Sequence, residues 1–421
     1  MIARFRASDS VRHGAIVFGG VVVASLFNYL FYMLMGRRVD VEAYGVVTSL
    51  ASALLVAGSP AMVGQLVVAR LAADLAARED RPALRRLADI VTRWSAATAV
   101  AVLLFGLLGR EVLATFFNLP NAQPVVVTIV ALALFVAVTV QRGVFQGAQR
   151  FDDLAISTAL EAVIKLVSGV LLAGPFGATG GLFGLAVGSF VALIYNLLTF
   201  RASFGRKRAP VALDRDLIMR VASHVGLGQL TLMVLSYYDV LLIKHVYDAR
   251  SAGLYAATAL VGRAVLSAVS FVPILVLPKA TARAVAGRSP GPLLLKALAI
   301  AAAIVGIAVL CCILAPRFVV TLIAGQAFGE AAPLVLLYAL ASGALAIATV
   351  VAAYRMGLHN YGFVVPSIVA AVLEIGVLVA WHPTLVAVVT VLAIGHSLVL
   401  AVMLFGVGEK RVIQLAAAAE S

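Results

Sequence analysis

The chain of 421 residues is 63% hydrophobic and 12% charged, with a mean hydropathy of +1.08, against roughly 45–50% apolar and 25% charged in soluble domains. At about 20 apolar residues per spanning helix, this composition leaves room for about a dozen spans and excludes a separate soluble catalytic domain. The excess of 32 Lys+Arg over 19 Asp+Glu gives +13, a balance that must be set against the positive-inside rule before nucleic acid is invoked.

Arg4, Arg6 and Arg12 precede the first apolar run, 14–35, which is longer than a signal-peptide core and has no small-residue cleavage pattern before Gly36. It is read as a retained helix. Eleven further runs follow at 44–68, 90–108, 125–145, 154–173, 180–200, 223–243, 251–277, 293–314, 331–353, 363–381 and 384–405. All twelve are expected to be α-helices, because backbone facing lipid must satisfy its hydrogen bonds internally.

With the N-terminus set in the cytoplasm, 24 basic residues fall on that side and six on the other, namely Arg37, Arg38, Arg110, Lys244, Arg250 and Arg317. Only Lys165 and Arg263 are left over, both deep within runs. The asymmetry accounts for most of the net charge without any nucleic-acid partner and predicts that both termini are cytoplasmic. The longest connections, 69–89 and 201–222, are rich in Arg with interspersed Asp, and neither is large enough to fold alone. Cys311 and Cys312 are adjacent within an apolar run and read as small core residues.

Sliding the chain on itself reveals an internal repeat. RRVDVEAYGVVTSLASALLVAGSP around Tyr44 matches HVYDARSAGLYAATALVGRAVLSAVSFVP around Tyr255 at an offset of 211, and GAQRF from Gly147 matches GLHNY from Gly357 at 210. Six helices per copy give both halves the same orientation. The expected division is 1–200 for the first six helices, 201–222 for a cytoplasmic linker and 223–421 for the second six. Such a layout belongs to transporters, with a site between halves.

Ionisable side chains within spans are costly and mark function by default. Arg263 lies about 18 Å into its helix, near the midplane, where a guanidinium requires an anion such as phosphate or carboxylate, or a structural ion pair. Glu161 and Lys165 have i, i+4 spacing and can form either a neutralised packing pair or a pair lining a cavity. Arg142 and Arg355 occupy matching repeat positions near cytoplasmic helix ends, where snorkelling is expected. Asp239, Glu374 and Thr390 lie at similar depth, roughly 8 to 10 Å from the outer surface, and could form an oxygen-lined cation or proton site. The alternative is an interfacial Asp239 bonded to Lys244 or Tyr238.

Asn28, Gln65, Gln229 and Ser236 are neutral polar groups within spans, and Gln229, Ser236 and Asp239 share one helical face. Gly180, Gly184 and Gly188 form a small-residue ridge suited to helix packing. His224, His382 and His396 have no metal spacing, so no metal site is expected apart from Na⁺ at Asp239 and Glu374. No phosphate-binding Gly-rich loop is present. The drive is therefore expected from an Na⁺ or H⁺ gradient, the membrane potential or the substrate's own gradient, with no cofactor.

GRRVDVEAYG between the first two helices, GAQRF after the fourth, and YYDVLLIKHVYDARSAGLYAATALVGRA over 237–264 together resemble polysaccharide-type flippases. These belong to the multidrug/oligosaccharidyl-lipid/polysaccharide (MOP) exporter superfamily. The resemblance spans all twelve helices. It implies an all-α MATE/MOP-like fold of two six-helix lobes related by a pseudo-twofold axis, with a cationic cavity alternately open to either side. The implied substrate is a polyprenyl-diphosphate-linked oligosaccharide, moved from the inner to the outer leaflet of a bacterial cytoplasmic membrane for surface polysaccharide assembly. Polysaccharide assembly proteins are the implied partners.

By that resemblance Arg263 matches a cavity arginine of lipid II flippases, the partner of the diphosphate. Asp239 and Glu374 fall on helices that carry a sodium site in that branch. Arg263, Lys165, Glu161, Asn28, Gln65 and Gln229 form the expected substrate set, and Asp239, Glu374 and Thr390 the coupling set. The chain departs from the lipid II branch in lacking two further C-terminal helices and an arginine in the first or second helix. An O-antigen, capsule or exopolysaccharide repeat unit is thus the favoured cargo. A cation-coupled small-molecule exporter of the same superfamily is the alternative, although Asn28 stands where an acid would be expected in the first helix.

Overall fold

The computed structural model describes residues 2–205, 207–211, 218–219 and 221–405, with backbone alone at 2–18, 21, 221, 224 and 225. Arg4, Arg6, Arg12, His224 and the C-terminal Lys410 and Arg411 thus lie outside the described side chains. The described residues form helices joined by turns and short loops, without strands, as a chain whose lipid-facing backbone must bond internally requires. They cluster into two units, one running to Gly226 with Lys244–Ala249 added, the other comprising Leu227–Ile243 and the chain from Arg250.

The first unit contains α1 (Ile2–Arg38), α2 (Val41–Ala77), α3 (Arg81–Leu108), the short α4 (Arg110–Phe116), α5 (Gln123–Gly147) and α6 (Phe151–Phe204). Local chemistry sets the helix starts. Asp40 caps α2 by accepting from the Ala43 amide at 2.7 Å, and Asp80 caps α3 by accepting from Ala83 at 2.9 Å, with Pro82 in the first turn, where its missing N–H costs nothing. α2 and α5 pack backbone to backbone. A Cβ on Gly147 would lie 2.1 Å from the Ala69 carbonyl oxygen.

α6, at 54 residues, would be roughly 80 Å long if straight, more than twice the hydrocarbon thickness. Gly177 breaks it with φ 54° and ψ −134°, and the chain folds back on itself. A Cβ at Gly184 would stand 2.6 Å from the Gly169 Cα, and one at Gly188 2.6 Å from the Glu161 carbonyl oxygen. The glycine ridge therefore serves the seam between the two arms, where small residues let backbones meet. Within the same unit, Asn118 donates to the carbonyls of Lys244 and His245 at 3.3 and 2.7 Å, and the His245 ring stacks on Phe116 at 4.2 Å.

The second unit contains α7 (Leu227–Leu235), all but the last three residues of α8 (Tyr238–Val246), all but the first residue of α9 (Ala249–Val269), α10 (Phe271–Val285), α11 (Gly291–Leu314), α12 (Pro316–Ala324), α13 (Ala332–Gly357), α14 (Val364–Ala380) and α15 (Leu385–Leu404). α13 is its central element, packed by α10, α11 and α15. Val269, Val272, Val276, Ala297, Ala301, Ala346 and Val350 form the core of that contact. Close approach at Gly262, where a Cβ would sit 2.4 Å from the Tyr338 ring, joins α9 to α13.

Among the described residues, eight helical segments are long and apolar enough to cross a membrane, or nine when α7 and α8, bent by 42°, count as one. The twelve sequence runs divide differently. Runs 154–173 and 180–200 lie in the single folded element α6, run 14–35 lies in α1, whose side chains at 2–18 and 21 are outside the description, and run 363–381 becomes the 17-residue α14. Large apolar side chains cover the outer faces of the helices, with Phe105 76% and Leu108 83% exposed on α3, a surface suited to lipid. The protein is a polytopic, all-α membrane protein.

Candidate functional site

Several polar constellations interrupt the apolar helices. In the second unit, the Arg263 guanidinium on α9 lies over the Tyr237 ring at 4.6 Å, a geometry that favours the planar cation. Arg263 lines a cleft of about 540 Å³ together with Gln229, Ser236, Tyr237, Ser267, Ser270 and Thr349. Its other walls are apolar, among them Leu232, Leu266, Ile274 and Met356. A cation among hydroxyl and amide groups, bordered by hydrocarbon, can receive an anionic headgroup with an attached chain.

The bend between α7 and α8 separates residues expected on one helical face. Gln229 and Ser236 reach the Arg263 cleft, whereas Asp239 turns into the protein core at 1% exposure. There its Oδ2 accepts from the hydroxyls of Tyr255 at 2.8 Å and Tyr338 at 2.6 Å. These are not Lys244 or Tyr238, the partners expected from sequence. Tyr238 instead donates to Glu374 Oε1 at 2.7 Å.

Glu374 on α14 is also buried, and His396 on α15 places Nε2 3.3 Å from its Oε1. Gly395 makes the space, because a Cβ there would stand 2.2 Å from Glu374 Oε2. Thr390 does not join this cluster. It is half-exposed and donates to the Val386 carbonyl of its own helix at 2.8 Å, so the expected Asp239, Glu374 and Thr390 trio is corrected to two carboxylates, three tyrosines and one histidine. No three acidic, His or Cys side chains gather to hold a metal ion among the described residues.

In the first unit, the expected Glu161–Lys165 pairing gives way to a different partner. Glu161 Oε2 lies 2.7 Å from Arg142 Nη1, and its Oε1 accepts from Ser189 at 2.7 Å. Arg142 also donates to the Ser157 hydroxyl and carbonyl at 3.0 and 2.8 Å. It is buried, not snorkelling, because a permanently charged guanidinium finds a complete set of acceptors there. Arg355, its counterpart in the repeat, is likewise buried, donating to the carbonyls of Met403 and Phe405 and to Asn360.

Lys165 donates to Asn28 Oδ1 and lies over the rings of Phe31 and Tyr32 at 5.0 and 5.7 Å. Gln65 donates to Gln146 across the α2–α5 contact at 3.0 Å. Asn28 and Lys165 are thus brought together, while Glu161 and Gln65 are engaged in packing contacts. Sequence reasoning passed over Arg142, His396, Tyr255 and Tyr338 as site members. The one available signal for the tyrosines was Tyr255 in the GLYAAT repeat motif, an aromatic hydroxyl in a span that needs an acceptor.

Helix order and architecture define the class: this is the fold of MOP-superfamily transporters. An inward-facing multidrug resistance MATE family transporter of that superfamily superposes with a TM-score of 0.71 at 14% identity, covering 95% of each chain. A lipid II flippase, MurJ, in an inward closed conformation superposes at 0.65 and 10% identity, over 97% of this chain and 91% of that one. A MATE protein in a bent conformation gives 0.63 at 15% identity, over 98% and 96%. The profile of the family described as "Polysaccharide biosynthesis protein" matches residues 10–278, and the chain belongs to that family. No curated protein sequence matches it.

Proposed function

We propose that the protein exports a polyprenyl-diphosphate-linked oligosaccharide from the inner to the outer leaflet of a bacterial cytoplasmic membrane by alternating access, for surface polysaccharide synthesis. In this reading it has twelve spans in two six-helix lobes, 1–200 and 223–421, joined by the linker 201–222, with both termini cytoplasmic. The two arms of α6 count as separate spans, and α1 and α14 complete the number.

The observation that carries the reading is Arg263 in a cleft walled by both polar and apolar residues, in a chain of a polysaccharide biosynthesis family. The guanidinium would grip the diphosphate, with Gln229 beside it for the glycan. Lys165 and Asn28 would offer a second polar contact in the other lobe, and Asp239 and Glu374 would couple transport to a cation gradient. Proteins of polysaccharide assembly would supply and receive the cargo.

A second reading, a cation-coupled exporter of small molecules, is favoured by fold similarity, since the multidrug transporter superposes at 0.71 and the flippase at 0.65. Reconstitution separates the two. In liposomes carrying a short-chain lipid-linked oligosaccharide on one leaflet, the first reading predicts protein-dependent exposure of glycan to a lectin on the opposite side. Transport of hydrophobic organic cations without glycan exposure would establish the second.

A further inference from the structure

A second cleft, of about 580 Å³, lies entirely within the first unit, a volume in the range of small-molecule sites. The chain builds it where three apolar segments end together. α3 stops at Leu108 and is followed at once by Arg110 and Glu111, α5 starts at Gln123, and α6 turns back at Gly177. A charged pair directly after an apolar span marks the boundary between hydrocarbon and headgroups, so the mouth of the cleft stands at that level.

The turn of α6 makes the hollow. A Cβ on Gly180 would stand 2.0 Å from the Leu172 carbonyl oxygen, whereas one on Gly174 or Gly177 would meet nothing within 4 Å. The two arms are in backbone contact at Gly180 and part beyond it, towards the turn. Leu172 and Phe176 from one arm and Phe183 from the other line the cleft together with Val126 of α5. Phe176 is 64% and Phe183 47% exposed, so these walls are open to a hydrocarbon chain.

Arg110 and Glu111 line the same cleft, and both are exposed. Arg110 Nε donates to Glu111 Oε1 at 3.1 Å, a contact that leaves its two Nη groups as donors. An exposed pair of this kind holds weakly and yields to a ligand that carries both charges. A phospholipid with an ethanolamine headgroup has a phosphate and an ammonium a few atoms apart, at the head of apolar chains. Its phosphate matches the Arg110 fork, its ammonium the Glu111 carboxylate, and an acyl chain the aromatic and aliphatic walls. Gln123, exposed at the start of α5 and also lining the cleft, supplies an amide that can donate to an ester carbonyl. A purely anionic headgroup would meet Arg110 but be repelled by Glu111.

We infer that this cleft binds one zwitterionic phospholipid of the phosphatidylethanolamine class, with its headgroup on Arg110 and Glu111 and an acyl chain between α5 and the two arms of α6. The site shares no lining residue with the Arg263 cleft and does not depend on the proposed cargo. With cytoplasmic termini, as proposed, Arg110 is on the outer side and the lipid belongs to the outer leaflet.

Native mass spectrometry of delipidated protein, incubated with equimolar phosphatidylethanolamine and phosphatidylglycerol of identical acyl chains, reads the headgroup preference. The wild type should retain the ethanolamine lipid over the glycerol lipid by roughly two- to fivefold, the size of one exposed charge contact. Glu111→Lys should reverse the preference, and Arg110→Ala should lower retention of both lipids. Arg250→Ala, which breaks a comparable exposed pair with Glu330 at 2.8 Å, should leave retention unchanged. For position, an ethanolamine lipid with a diazirine on its acyl chain should crosslink the wild type within 122–127 and 172–183, and Val126→Trp, which fills the cleft, should suppress those crosslinks. Equal retention of the two lipids by the wild type, a preference unaltered in Glu111→Lys, or crosslinks confined to other segments would overturn the assignment. Wild-type preference and crosslinking decide the question even if a variant fails to fold.

Discussion

The Tyr338 hydroxyl donates to Asp239 Oδ2 at 2.6 Å, across from the Tyr255 hydroxyl, which donates to the same oxygen at 2.8 Å. Two phenols on one carboxylate oxygen solvate a buried charge that has no basic side chain bonded to it. Removing one donor by Tyr338→Phe keeps the volume and should cost about 1–3 kcal/mol, with transport reduced further than stability. Thermal melting in detergent, compared with the same change at partly exposed Tyr247, checks the stability part.

The Arg142–Glu161 pair is the corresponding polar anchor in the first unit. Truncating one partner leaves the other buried and charged, so Arg142→Ala should destabilise by about 3–5 kcal/mol. The double variant Arg142→Met, Glu161→Gln should recover much of that loss. A double-mutant cycle by chemical denaturation or melting measures the coupling.

Backbone contact between α2 and α5 predicts an asymmetry among glycines. Gly147→Ala places a methyl 2.1 Å from the Ala69 carbonyl oxygen and should cost about 1–3 kcal/mol through overpacking. Gly376→Ala, where nothing lies within 4 Å of the added Cβ, should be neutral to slightly stabilising because alanine favours helix. Melting temperatures of the two variants give the comparison.

The sequence made the helices legible because periodicity is unnecessary where every face is apolar and length alone marks a span. It also marked Arg263, Lys165, Asp239, Glu161 and Glu374 as ionisable groups conspicuous within apolar runs. Pairing was not legible. Spacing of i, i+4 pointed Glu161 at Lys165, yet Arg142 from another helix approaches more closely, as tertiary contacts override local ones. The bend of 42° between α7 and α8 likewise removed Asp239 from the face of Gln229, and no proline or glycine at 235–238 announces that bend. His396 was passed over because a metal motif was sought, whereas its role depends on one carboxylate brought from α14.

Arg263 carries the substrate assignment. Losing a charge-assisted contact of this kind costs roughly 1.5–3 kcal/mol, about ten- to hundredfold in affinity, so Arg263→Ala should abolish export while membrane insertion and melting stay near wild type. Arg263→Lys should restore part of the activity, because the charge remains but the planar fork is lost. Surface polysaccharide displayed by cells carrying each variant provides the readout.

The most direct test of the central claim is native mass spectrometry of the detergent-purified protein with its co-purified lipids, comparing wild type with Arg263→Ala. The account predicts a bound polyprenyl-diphosphate glycan on the wild type that is lost from the variant. Ordinary phospholipids alone on both proteins would contradict it and leave the small-molecule exporter as the standing reading.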